Sequence, residues 1–327
     1  MRLFKAKSKK RFWVGTGAAI LLFLLGGEIF CRVYFQLGHP VLFQFDPKME
    51  YLPRPNQDLR RFGNRVQINR WSQRSDDITA RKTDPHEKRI LVLGDSIAFG
   101  GTQLDQSQIC GAQLEKLEKQ RGTAPVRVIT AAAGSWGPAN EFAYLQRFGS
   151  FDADIVVWIF SDQDWFDKPD FEPTVDVHPN YPSHDPRSAL GEFVFRYAVP
   201  RVFHLAPPLD PGQKARGLEL QDQPLNQGVQ RLLKGKTRVL LVGWPSESVA
   251  SDNNPELTAE AERNWARFTS RAQKMGAQLL DLRAAVGIQI AAGRHLYLDG
   301  THPTAEGDEW LASQIERALS VKTQPKL

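Results

Sequence analysis

The chain has 327 residues, 41% of them hydrophobic and 24% charged, with 25 glycines, 21 prolines and only two cysteines, Cys31 and Cys110. That balance excludes a disordered, collagen-like or multi-span membrane protein, and two cysteines are too few for a disulfide framework or a cysteine-based zinc site. The net charge of +5 comes from one end: six basic residues precede position 12, and the other 36 face 37 acidic ones, so a near-neutral body without a basic stripe argues against a nucleic-acid partner.

Behind that basic cluster (1–11) runs an apolar segment, 12–31, with Leu21, Leu22, Leu24 and Leu25 at its centre and Glu28 near its end. About 20 helical residues reach ~30 Å, one hydrocarbon thickness. A cleaved signal peptide fits the basic start and leucine-rich centre too, but no small-x-small pattern follows, and Glu28, Ile29 and Phe30 suit lipoprotein processing at Cys31 poorly. The expectation is an uncleaved single-pass anchor in a bacterial inner membrane. The positive-inside rule keeps the basic end cytoplasmic and puts the rest in the periplasm or outside.

From 32 to 87 prolines, arginines and short extended stretches such as 65–68 predict a strand-rich juxtamembrane arm. Then 89–93 is a continuous apolar run ending at Gly94, as expected of a parallel strand covered on both faces. Helical spacing over 108–120, a strand at 126–131, a helix at 140–147 and a strand at 154–160 follow. After them come a strand at 238–243, an amphipathic helix at 256–275, a strand at 278–282 and a last helix at 305–319. This alternation predicts an α/β, doubly wound parallel sheet over 88–320. The proline- and aromatic-rich stretch 165–236 is too long for a connection and reads as a partly helical insertion; 321–327 is a tail.

Open parallel sheets bind ligands at the carboxyl ends of their strands. The first strand delivers Gly94, Asp95 and Ser96 there: glycine permits the tight turn, and the serine is either a nucleophile or a helix N-cap. Near the other end stand Asp299, Gly300, Thr301, His302 and Pro303. Three-residue spacing on a turn lets the carboxylate orient one imidazole nitrogen while the other faces outward; the plain alternative is a polar loop satisfying its own backbone. Together the two blocks point to Ser96 as nucleophile, with His302 and Asp299 as base and orienting acid.

These blocks resemble those of the SGNH/GDSL hydrolase family, which carries GDS early and DxxH late on a flavodoxin-like sheet. The resemblance spans 88–320 and implies the catalytic residues Ser96, Asp299 and His302, with no cofactor and no metal. It also implies oxyanion donors: the N–H of Ser96, that of Gly134 after the second strand, and an asparagine after the third. This chain has Gln163 at that third position, within Ser161, Asp162, Gln163 and Asp164, and lacks the usual asparagine before Gly134.

Other polar and aromatic residues have plainer readings. His178, His184 and His204 match no metal-ligand spacing. Trp136, Trp158, Trp165 and Phe166, near strand ends, either stack on a sugar or pack in the core. Asp162 and Asp164 read as solvated loop acids. The resulting expectation is a membrane-anchored serine esterase acting on O-acetyl or other acyl esters of an envelope carbohydrate or lipid. The alternatives are an O-acetyltransferase of an exported polysaccharide and a non-catalytic scaffold of a polysaccharide machine, the latter suggested by Gln163.

Overall fold

The computed structural model describes residues 2–122, 124–166, 174–199 and 211–321. Helix α1 (Arg2–Val33) continues through the basic start and the apolar run as one rod. Its stretch Trp13–Val33 is long and apolar enough to cross a membrane. Ile20, Leu22 and Phe23 on it are all more than half exposed, apolar surface that the protein itself leaves uncovered.

Two antiparallel hairpins follow: β1 (Phe43–Asp46) with β2 (Glu50–Pro53), and β3 (Gln57–Arg61) with β4 (Asn64–Ile68). The expected strands are present, and the segment is no free arm. Val41, Phe43, Met49, Tyr51, Leu52, Val66 and Ile68 are buried in the same core as the main sheet, so the boundary drawn at 88 does not separate two packing units.

The main sheet holds β5 (Lys88–Gly94), β6 (Val126–Ala132), β7 (Ile155–Phe160), β8 (Arg238–Gly243) and β9 (Gln278–Asp281). All are parallel, in the order β6-β5-β7-β8-β9. Counted along the chain this is the 2-1-3-4-5 order of flavodoxin-like folds. Strand β7 is buried at every residue and β5 at all but its first, which is why both read as unbroken apolar runs.

The connecting helices are α2 (Ser96–Phe99), α3 (Cys110–Arg121), α4 (Pro138–Phe148), α5 (Ala189–Glu192), α6 (Pro211–Lys234), α7 (Glu247–Ala250), α8 (Pro255–Lys274), α9 (Arg283–Ala291) and α10 (Ala305–Ser320). Helix α3 packs on α10, and α6 packs on both α4 and α8. Between α5 and α6 the chain makes a π-helical turn, Phe193–Ala198. Within 165–236 the described residues include α5, this π-helical turn and α6; His204 lies outside the described residues.

Candidate active site

Strand order reverses between β5 and β7, and such a switch point opens a crevice at the carboxyl edge. Strand β5 ends there on Gly94, and a Cβ at that position would stand 2.8 Å from the Cβ of Ala98 and 3.0 Å from the carbonyl oxygen of Ile159. Only glycine fits so close to backbone. Asp95 then caps α2, its Oδ1 accepting the N–H of Ile97 at 2.8 Å, and Ser96 becomes the helix's first residue. Ser96 is therefore not the cap; the neighbouring aspartate takes that role and leaves the serine hydroxyl free for other partners.

The loop before α10 brings the second block to the same place. His302 Nε2 lies 3.0 Å from Ser96 Oγ, across 206 residues of sequence. Its Nδ1 faces Asp299, 2.9 Å from Oδ2 and 3.0 Å from Oδ1, and its own backbone N–H donates to Oδ1 at 3.0 Å. The Thr301 N–H adds a bond at 3.2 Å. Partial burial works against ionisation of Asp299, but these donors outweigh it and hold the carboxyl below its usual range. An ionised Asp299 holds the proton on Nδ1 and leaves Nε2 free to accept from the serine. Both side chains stay open to solvent, Asp299 at 58% and His302 at 42% of full exposure, so water reaches the pair.

Gly134 follows β6 and reaches this crevice too: a Cβ on it would lie 4.0 Å from the Ser96 Cβ. Its carbonyl accepts two phenols, from Tyr51 at 2.6 Å and Tyr181 at 3.0 Å, which fix the orientation of this loop. Ser135 beside it is held at φ +55°, a left-handed conformation uncommon for serine. Among the described residues, no acceptor takes the N–H of Ser96 or of Gly134.

Gln163 sits apart from this group. It is exposed and lines an adjoining cavity of about 550 Å³ with Phe166, Ser246, Asn264 and Thr301, whereas Ser96, Gly134 and His302 line one of about 540 Å³. Asp299 borders both cavities.

The two loop acids correct the sequence expectation. Asp164 is fully buried, accepting the Ser161 hydroxyl at 2.6 Å and its N–H at 2.9 Å, and it contacts the carboxyl of Asp95. Burial pushes Asp95 above the usual carboxylate range, against the opposing pull of its contacts with Asp164 and the Ile97 N–H. Asp162 accepts the N–H and hydroxyl of Ser246 at 2.8 and 3.0 Å. Close in sequence, these acids serve two different loops.

Trp136, Trp158 and Trp165 are buried and present no face to a ligand; Trp165 stacks on Phe268 with ring centroids 4.3 Å apart, and the Trp136 indole N–H donates to the Tyr51 carbonyl. Phe166 is half-buried at the adjoining cavity. His178 packs on Tyr181, and His184 stands 3.4 Å from Asp176. Among the described residues, no group of three metal-ligating side chains forms.

Sequence reasoning missed Tyr51, Tyr181, Arg74 and Arg196. The last lines the cavity of Ser96, while the buried Arg74 guanidinium donates to the carbonyls of Phe99, Gly101 and Leu104, tying down the loop after α2. Neither the arginines nor the tyrosines stand in any motif, and no local pattern marks them.

What these elements define is a doubly wound α/β protein with a Ser–His–Asp constellation at the switch point of its sheet. No protein-family profile matches the chain, and no curated protein matches its sequence. Solved structures do. TesA shares 18% identity at a TM-score of 0.46, over 71% of this chain and 98% of its own. A lipase/acylhydrolase from Enterococcus faecalis shares 16% at 0.45, over 73% and 99%. Axe2, an acetylxylan esterase from Geobacillus stearothermophilus, shares 13% at 0.49, over 73% and 97%.

Proposed function

We propose that this chain is a membrane-anchored serine esterase. The supporting observation is the line of contacts from Asp299 through the His302 ring to Ser96 Oγ, 2.9 and 3.0 Å long. Ser96 Oγ attacks an ester carbonyl while His302 Nε2 takes its proton, and Asp299 steadies the imidazolium. The oxyanion forms against the N–H groups of Ser96 and Gly134, neither of which has an acceptor among the described residues. His302 then protonates the departing alkoxide, leaving an acyl-Ser96 ester. Water, activated by the same imidazole, attacks that ester and releases the acid and free Ser96. Gln163 has no part in this route.

The exposed apolar side chains of α1 favour a lipid surrounding, and the basic start of the chain favours a cytoplasmic amino terminus with the sheet on the periplasmic or outer side. An O-acetyl or other acyl ester of an envelope carbohydrate or lipid is the substrate this location suggests. Transfer to a sugar hydroxyl would use the same atoms, and the adjoining cavity reaching Asp299 offers an acceptor somewhere to bind. The deciding assay is hydrolysis of p-nitrophenyl acetate by the full chain in detergent, with and without an oligosaccharide acceptor. Ser96→Ala should lower the rate by about 10⁴-fold or more and abolish fluorophosphonate labelling seen by intact mass. Unchanged hydrolysis in Ser96→Ala would remove the mechanism, and acetyl appearing on the sugar would make the enzyme a transferase.

A further inference from the structure

The cavity around Ser96 contains a charge that ester hydrolysis does not need. Arg196 lines it beside Asn180 and Tyr181, presented by the π-helical turn Phe193–Ala198, a rare element often found at functional sites. Its side chain is only 17% exposed. Among the described residues, its polar partner is Glu192, 3.5 Å from Nη1. Glu192 is already committed: it accepts Nη2 of the fully buried Arg61 at 2.6 Å and the N–H of Gly38 at 2.8 Å. Two guanidinium groups therefore share one carboxylate, leaving an excess positive charge at the cavity wall. Glu192 lies behind the cavity wall, and the carboxylate that does line the cavity, Asp299, is held by His302. A largely desolvated, undercompensated guanidinium is costly unless an anion completes it.

We propose that Arg196 is a specificity-determining residue that receives a carboxylate or phosphate on the substrate, so that this cavity selects anionic esters over neutral ones. The proposal rests on the ester-cleaving reading of Ser96. A planar guanidinium fork matches either oxyanion group, and its charge-assisted bonds form only when such a group is present.

The test uses the full chain in detergent and compares kcat/KM for p-nitrophenyl acetate with three anionic esters. Mono-p-nitrophenyl succinate carries a carboxylate on the acyl side, while 4-acetoxybenzoate and 4-acetoxyphenyl phosphate carry a carboxylate or phosphate on the alcohol side. The wild type should prefer at least one of them, and the preferred ester identifies the group and the half of the ester that bears it. Arg196→Gln should cut that preference by about 10- to 100-fold, with Arg196→Lys, which keeps the charge and loses the fork, falling between. No preference in the wild type, or an equal fall on neutral and anionic esters, overturns the proposal. Calorimetry of 4-acetoxybenzoate and 4-acetoxyphenyl phosphate binding to Ser96→Ala reads the site without turnover. Binding that disappears when Arg196→Gln is added supports the anion site even if ester cleavage fails; binding indifferent to Arg196, or none, overturns it.

Discussion

Replacing Asp95 by asparagine should remove a proton from the folding reaction without disturbing the turn that presents Ser96. Asp95 Oδ1 accepts the Ile97 N–H at 2.8 Å while the rest of the carboxyl meets Asp164, itself bonded twice to Ser161. Burial raises the folded pKa of Asp95 above that of the unfolded chain, near 4. A raised carboxyl stabilises the fold fully below the unfolded value and loses that contribution as pH climbs towards the folded one. Each pH unit in that window costs the wild type about 1.4 kcal/mol. The introduced asparagine would keep the cap through its oxygen and donate to Asp164 through its amide, with nothing to titrate. The stability difference between Asp95→Asn and wild type should thus move in favour of the variant by about 1.4 kcal/mol per pH unit above 4, levelling off at the folded pKa. Thermal unfolding from about pH 3.5 to 7 reads this as a shift of about 2 °C per unit inside the window. Asp308, also buried and raised, titrates alike in both proteins and cancels in the difference, whereas Glu141 is raised by burial and further by the Asp95 charge, so that smaller part of its titration belongs to the difference. A difference that stays flat over this range would refute the burial-raised carboxyl of Asp95.

Asp299→Asn should lower kcat by about 10⁴-fold on p-nitrophenyl acetate with the unfolding temperature little changed, since its carboxylate is more than half exposed and acts chiefly through His302. Gly94→Ala should destabilise the chain by about 1–3 kcal/mol in denaturant titration, because the new Cβ meets the Ala98 Cβ and the Ile159 carbonyl, neither of which can swing away. Arg74→Lys puts one ammonium where a fork reached the carbonyls of Phe99, Gly101 and Leu104. It should cost about 2–4 kcal/mol and raise KM, because Phe99 and Gly101 line the cavity of Ser96.

What the sequence disclosed was whatever a short stretch specifies alone. The apolar runs of β5, β7 and β8 could only be buried strands, and GDS and DxxH each encode a turn whose geometry is local. Helix α9 escaped notice because Val286, Ile288 and Ile290 with Gly287 give a weak helical signal. Asp162 and Asp164 look like one solvated pair on paper; the turn after β7 sends one to Ser246 and the other to Ser161 and Asp95, a divergence fixed by tertiary packing. Arg74, Tyr181 and Arg196 gain their roles from partners brought together by hairpins and the π-helical turn.

The junction between α1 and the sheet follows the same logic in reverse, since it joins parts that look unrelated in sequence. Glu28, near the end of α1, accepts the Ser188 hydroxyl at 2.7 Å and the N–H groups of Ala189 and Leu190 at 3.0 and 2.9 Å, satisfying donors that α5 leaves open at its start. Phe35 stacks on Phe193 with centroids 5.4 Å apart, and Cys31 and Leu37 bury against Ala189. A carboxylate near the end of an apolar segment is costly in lipid, and here it finds three donors on the neighbouring segment. Helix α5 runs directly into the π-helical turn that presents Arg196 to the Ser96 cavity. The end of α1 therefore braces the wall that shapes the cavity, and a change in how α1 seats on α5 would be felt at Arg196.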